Sequence, residues 1–261
     1  VRVPIFQVDA FTSRRFRGNP AAVMVLPDFP DDCTMQAISA ENNLAETAFL
    51  VMRPGDYRLR WFTPTVEVPL CGHATLATAA VVMERLRPEL DAVVFDTASG
   101  PLPVIRAENG YVLDFPSRPS VRAPSPPALA TALGVAPQEV WVNAFNYLAV
   151  MDDARTVRTL APDLTAVAAL DRPGVIVTAP GDDGYDLVSR YFAPAKGIAE
   201  DPVTGGAHCM LAPYWAGRLE KTSLRAYQAS ARGGEIDCRL NGDRVALRGQ
   251  CVFYLEGYAE I

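Results

Sequence analysis

The chain has 261 residues, 49% apolar and 21% charged, with a net charge of −6. That length allows one large domain or two modest ones, and the balance is ordinary for a soluble globular protein. An acidic balance argues against a nucleic-acid partner, which needs a basic patch, and the apolar runs fall well short of a membrane span.

The opening residues, Val1-Arg2-Val3-Pro4-Ile5-Phe6, lack the long apolar stretch of a signal peptide, so a cytoplasmic enzyme is the default expectation. The five cysteines include no Cys-x-x-Cys pair, and their number is odd. Neither a disulfide framework nor a zinc knuckle is expected from them. The two histidines, His73 and His208, are far apart in sequence and give a metal site little support.

Val3–Val8 reads as a first strand, followed by a polar, Arg-rich loop ending in Gly18-Asn19-Pro20. Ala21–Leu26 is a second strand. Asp31 or Asp32 caps a helix that carries Met35 and Ile38 on one side. Asn43–Val51 reads as a strand apolar on both faces, with Glu46 as its only charge. Burying an unpaired carboxylate is expensive, so Glu46 should be protonated or hydrogen-bonded, unless it lies at a wet strand end.

Arg58–Phe62 is a strand leading into the turn Pro69-Leu70-Cys71-Gly72-His73-Ala74-Thr75. The helix that follows, Thr75–Leu86, has no polar side until Glu84 and must be wrapped by other structure. Strands at 92–96, 103–107 and 111–115 are placed to wrap it. Residues 118–127 are Pro-rich and read as a linker. They separate a first lobe, residues 1–117, from a second, residues 128–261.

The second lobe opens on a short helix, 128–133. Strands are expected within 140–151 and at 175–178 and 187–192, with a modest helix at 163–170. An apolar helix, 208–219, follows the turn Pro202-Val203-Thr204-Gly205-Gly206-Ala207-His208. Strands at 224–229, 235–240, 244–248 and 252–255 complete its wrap.

The two turns echo one another. Arg60-Trp61-Phe62-Thr63-Pro64 stands ahead of the first and Arg190-Tyr191-Phe192-Ala193-Pro194 ahead of the second. Ala98-Ser99 then precedes a hairpin tipped by Asn109-Gly110, and Ala229-Ser230 one tipped by Asn241-Gly242. An internal duplication follows: an α+β fold of two similar lobes, each a curled, barrel-like sheet around a central apolar helix.

A Gly-containing turn that feeds a helix exposes backbone N–H groups and favours carboxylates. Gly72 and Gly205 allow close approach, although small residues there also serve simple packing. Cys71 just before the helix is placed for a lowered thiol pKa, or is a small buried apolar residue. Thr204, its counterpart, cannot serve as an equal acid. His73 is placed to meet a substrate carbonyl or to orient Glu46. Asp201 either accepts a bond from substrate or starts a turn before Pro202. His208 is assigned to structure.

Taken together, five stretches resemble the phenazine-biosynthesis PhzF family. They are Val8-Asp9-Ala10-Phe11-Thr12, Gly18-Asn19-Pro20-Ala21-Ala22, Asn43-Leu44-Ala45-Glu46-Thr47, Cys71-Gly72-His73-Ala74-Thr75 and Glu200-Asp201-Pro202-Val203-Thr204-Gly205. The resemblance spans nearly the whole chain. It implies a diaminopimelate epimerase-like fold with the site in the cleft between lobes. It also implies a homodimer, and an isomerase that moves a proton on a small carboxylate without metal or organic cofactor. The family's named reaction acts on trans-2,3-dihydro-3-hydroxyanthranilate. Glu46 matches the family's acid/base, His73 its cleft histidine and Asp201 its cleft aspartate. Asn19, Cys71, Gly72, Thr204, Gly205 and Gly206 become the candidates for binding substrate. The chain departs from the phenazine pattern at Gly206, where a Ser is expected, and so lacks one anchoring hydroxyl.

The Cys-Gly-His turn is also similar to that of proline racemases and hydroxyproline dehydratases, which would place the chemistry on Cys71. A third reading is a non-catalytic binding protein on the same scaffold. Glu46 and the Glu200-Asp201-Pro202 sequence favour the PhzF type.

Overall fold

A computed structural model describes all residues, Val1–Ile261. In chain order the elements are β1 (Arg2–Ala10), β2 (Asn19–Leu26), α1 (Asp32–Asn42), β3 (Glu46–Arg53), β4 (Asp56–Phe62), β5 (Glu67–Val68), α2 (Gly72–Val81), β6 (Ala92–Phe95), β7 (Leu102–Ala107) and β8 (Gly110–Pro116). There follow β9 (Val121–Ala123), α3 (Pro127–Leu133), β10 (Glu139–Val142), β11 (Asn146–Val150), α4 (Ala154–Thr159), α5 (Leu164–Ala168), β12 (Gly174–Pro180), β13 (Leu187–Ala193), β14 (Ile198–Asp201) and α6 (Gly205–Leu219). The chain ends with β15 (Ser223–Gln228), β16 (Gly234–Asn241), β17 (Arg244–Gly249) and β18 (Cys251–Glu260). No helix is long and apolar enough to cross a membrane, and the five cysteines are unpaired.

The chain divides into two compact units, Val1–Asp114 with Arg248–Ile261, and Phe115–Leu247. The first carries a sheet ordered β18-β1-β2-β3-β4-β5 and the β6-β7-β8 meander. The sheet does not close into a barrel. Its pair β2/β3 is parallel, with α1 as the connection, and Ala21 stands opposite Glu46 in the register. Asp31 caps α1 as expected, its carboxylate accepting from Thr34 N at 3.0 Å.

Helix α2 packs on β1, β2 and β3, and every residue from His73 to Val81 is buried. Its Ala and Thr side chains allow that close approach. The buried hydroxyls are satisfied within the helix: Thr75 donates to Cys71 O at 2.6 Å and Thr78 to Ala74 O at 2.7 Å. The helix begins at Gly72, earlier than expected, because the backbone is already helical one residue past the extended Cys71. It ends in a π-helical turn, Val82–Leu86, just before Pro88.

The second unit is one sheet in the order β17-β16-β15-β13-β12-β11-β10-β9, with β14 pairing on β13 and α6 packed on β15 and β16. Asn143 splits the strand expected within 140–151, accepting bonds from Phe145 N and Asn146 N at 2.9 Å each to make a turn. Two features differ from the sequence expectation. The Pro-rich 118–127 stretch contains β9, which pairs with β10. The last strand, β18, does not complete the second unit but pairs antiparallel with β1 along nearly its full length.

Candidate active site

The parallel pairing of β2 and β3 starts both strands at the same end of the first unit's sheet. Asn19 is the first residue of β2 and Glu46 the first of β3. Helix α2 packs on both strands and contributes His73 from its first turn. Three side chains distant in sequence therefore meet.

Glu46 Oε2 lies 3.1 Å from His73 Nε2, with both side chains nearly withdrawn from solvent, at 11% and 6% exposure. The contact is an ion pair by distance; the ring N–H is not aligned on the carboxylate as a directed hydrogen bond would be. On the other side of the ring, Asn19 Nδ2 is 3.1 Å and Cys71 Sγ 3.5 Å from Nδ1.

The electrostatics bear on the two readings of Cys71. Burial pushes its thiol upward and the Glu46 carboxylate adds to the rise; the neighbouring His73 offsets only part of it. The thiol is therefore protonated at neutral pH, and desolvation outweighs the helix start. For His73, burial disfavours the cation, but the acidic neighbours Cys71 and Glu46 outweigh it and hold the ring well above its ordinary 6.5.

The donor atoms of Glu46, Cys71 and His73 all lie within 4.8 Å of one another. By type this set suits a zinc-class ion. The same atoms are equally suited to pass protons among themselves.

The second unit builds a turn of the same kind. Asp201 ends β14 and accepts the Thr204 hydroxyl at 2.5 Å. Thr204 caps α6, and Gly205 and Gly206 open it. Gln228, fully buried on β15, clamps the turn: its Oε1 accepts from Thr204 N at 2.8 Å, and its Nε2 donates to Asp201 O at 2.8 Å and Thr204 Oγ1 at 3.1 Å. His208 is structural. Its Nδ1 lies 2.8 Å from Thr204 O, and burial pulls its pKa down to about 4.

Contacts recur at the echoed positions. Ser99 Oγ donates to Pro69 O at 2.7 Å, and Ser230 Oγ to Pro202 O at 2.8 Å. Arg60 makes a forked pair with Glu67, at 2.8 Å for each arm, and Arg190 one with Glu200 at 2.7 and 3.0 Å. The carbonyl of each helix cap takes a bond from the residue four ahead, Thr75 in one and His208 in the other.

The predicted residues thus fall in two sets. Glu46, His73, Asn19, Cys71 and Gly72 gather in the first unit, and Asp201, Thr204, Gly205 and Gly206 in the second. Sequence reasoning missed Gln228. Its signal was faint: an uncharged polar residue closing the strand ahead of the echoed Ala-Ser.

The architecture is that of the diaminopimelate epimerase-like isomerases. A hydroxyproline epimerase from Agrobacterium vitis aligns over 98% of this chain and 92% of its own, with a TM-score of 0.61 and 11% identity, a likeness of fold alone. Much nearer is a phenazine biosynthesis protein PhzF family structure from Enterococcus faecalis, with a TM-score of 0.96 and 45% identity over 100% of both chains. An uncharacterised isomerase of Pseudomonas aeruginosa is 49% identical over 257 residues, 98% of each chain.

This chain belongs to the PhzC-PhzF family, whose model, described as phenazine biosynthesis-like protein, matches residues 8–257. It is an enzyme of the isomerase class.

Proposed function

We propose that this isomerase moves a proton within a small carboxylated substrate, cyclic or amino-acid-like, with Glu46 as general acid/base and no metal or organic cofactor. The observation that carries the reading is the buried Glu46–His73 pair at 3.1 Å. A carboxylate next to an imidazole, both largely buried, can take a C–H proton and return it at another carbon. The N–H groups of Gly72 and His73 in the first turn of α2 offer a place for the substrate carboxylate. Asp201, Thr204, Gly205 and Gly206 are assigned further substrate contacts. The matched contacts of the two turns support an origin by internal duplication. A cytoplasmic homodimer is the expected form.

A second reading rests on the Cys71 thiol, 3.5 Å from a potential base at His73 Nδ1. The upward displacement of that thiol weighs against it.

The test is proton NMR in D₂O, with trans-2,3-dihydro-3-hydroxyanthranilate and a panel of proline and other amino-acid derivatives. Wild type, Glu46→Gln and Cys71→Ser are compared for product and for loss of C–H signal. Conversion that needs Glu46 and survives Cys71→Ser supports the proposal. Conversion lost only in Cys71→Ser replaces it with the thiol reading.

A further inference from the structure

Gln228 is fully buried on β15, inside the second unit's sheet, with Ser189 of β13 opposite it on one side and Gly234 of β16 on the other. Its amide meets three groups of the second turn, and two of them are backbone groups with fixed roles. Thr204 N–H only donates and the Asp201 carbonyl only accepts, so Oε1 faces the first and Nε2 the second, at 2.8 Å each. Turning the amide over would set donor against donor and acceptor against acceptor. The other hydrogen of Nε2 is thereby aimed at Thr204 Oγ1, 3.1 Å away.

That bond directs the Thr204 hydroxyl. It accepts from Gln228 and gives its own hydrogen to Asp201 Oδ2, 2.5 Å away. Something is forgone in return. Thr204 is the N-cap of α6, where a Thr side chain ordinarily accepts from the first N–H groups of the helix. Here it makes no such bond.

The first turn lacks this arrangement. Thr97 precedes Ala98-Ser99 as Gln228 precedes Ala229-Ser230. Its hydroxyl is spent within its own loop, accepting from Ser99 N at 3.1 Å and donating to Gly100 O at 2.7 Å. The serine contacts, Ser99 to Pro69 O and Ser230 to Pro202 O, hold both turns alike, whereas the three Gln228 bonds are peculiar to the second. A feature that breaks the repeat, and draws a capping side chain off its helix, points to function rather than to the shared scaffold.

We propose that Gln228 is a positioning residue for substrate binding: its amide turns the Thr204 hydroxyl away from α6 and onto Asp201, and so fixes the Asp201 carboxylate as an acceptor for a donor group of the substrate. The part played in the reaction rests on the assignment of Asp201 to substrate contact above; the effect on Thr204 does not. Gln228 acts from a rigid base, because β15 is paired on both edges at this residue.

The experiment joins a rotamer to a kinetic split. Three-bond couplings from Thr204 Cγ2 to its backbone nitrogen and carbonyl carbon, measured on the ¹³C,¹⁵N-labelled full chain, report the Thr204 χ1 rotamer without any ligand. Wild type should hold one rotamer, with the hydroxyl off the helix. Gln228→Leu should mix it with a rotamer that caps α6. Steady-state kinetics use the compound that the D₂O panel shows to be converted. Gln228→Leu should raise KM about tenfold with kcat within a few-fold. Thr204→Val removes the hydroxyl and leaves Gln228 both backbone partners. It should raise KM by a similar factor, and adding Gln228→Leu to it should raise KM little further. Thr204→Ser, which keeps the hydroxyl, should stay near wild type. A Thr204 rotamer indifferent to Gln228→Leu, or a wild-type KM in Thr204→Val, overturns the proposal, as does a loss confined to kcat. Should Gln228→Leu fail to fold, Thr204→Val and Thr204→Ser decide. Normal turnover in Glu46→Gln beside a raised KM in Gln228→Leu would uphold the role of Gln228 and remove Glu46 from catalysis. Silence across the panel would strike the Glu46 reading and leave the rotamer to decide.

Discussion

Replacing Glu46 by Gln keeps the side-chain shape and removes two things: a charge and a proton-transfer group. The geometry sets what each is worth. Gln leaves an oxygen in reach of His73 Nε2, so packing is retained while acid/base function is lost. General acid/base catalysis by a positioned side chain contributes about 10²–10⁴-fold, so turnover should fall by that much. In free energy this is about 3–5 kcal/mol at 1.36 kcal/mol per tenfold.

Stability responds differently. Losing one partner of a buried ion pair costs about 3–5 kcal/mol when the other stays charged. Here the ring escapes most of that by deprotonating, because burial alone drives His73 toward its neutral form.

The pH dependence has a definite sign. His73 is raised in the folded state, so the stability it contributes is fully present below its unfolded value of about 6.5. That stability disappears as pH rises through the higher folded value. The melting-temperature gap between wild type and Glu46→Gln should therefore be wide in mild acid and close with rising pH. Thermal melts across pH, together with C–H exchange in D₂O, read both effects. Wild-type turnover in Glu46→Gln would refute the catalytic reasoning. A gap that widened with rising pH would refute the electrostatic one.

Other outcomes follow from the same structure. Cys71→Ser should retain turnover within a few-fold, since the thiol is protonated at neutral pH and lies outside the proposed proton path; loss of exchange in the D₂O assay would reverse that assignment. Gly206→Ser should fold normally, because a Cβ there meets nothing within 4 Å. Its stability should lie within about 0.5 kcal/mol of wild type. Its effect should appear in KM for carboxylate substrates, as titrated by steady-state kinetics. Gln228→Leu should cost about 1–3 kcal/mol for the buried Thr204 N–H it deprives of its partner. An unchanged denaturation midpoint would show that water replaces the clamp.

What the sequence disclosed was mostly what local patterns encode. The Asp31 cap and the all-apolar central helix each reflect a preference acting over a few residues. The repeated turns were legible because Arg, Phe and Pro recur at matching steps ahead of them and each turn carries Pro-x-(Cys/Thr)-Gly. Hidden were the long-range choices. Nothing near residues 251–260 says that they pair with β1 rather than with the strands just before them. Glu46 was legible as a buried charge and His73 as one residue that could orient it, but the parallel β2/β3 pairing and the packing of α2 that bring the two together are not written locally. Cys71 kept two readings open in the sequence, because the pull of a helix start is readable there, whereas complete desolvation is a property of the packed fold.

The pairing of β18 with β1 also orders events during synthesis. The first unit owns both the earliest strand and one translated after the whole of Phe115–Leu247. While the chain emerges, the second unit can complete its contacts, but β1 waits with one edge bare. An open edge with apolar residues such as Val3 and Phe6 is a template for pairing with another chain. Nascent molecules stopped before Cys251 should therefore stick to one another through β1, whereas those that reach Glu260 close that edge themselves.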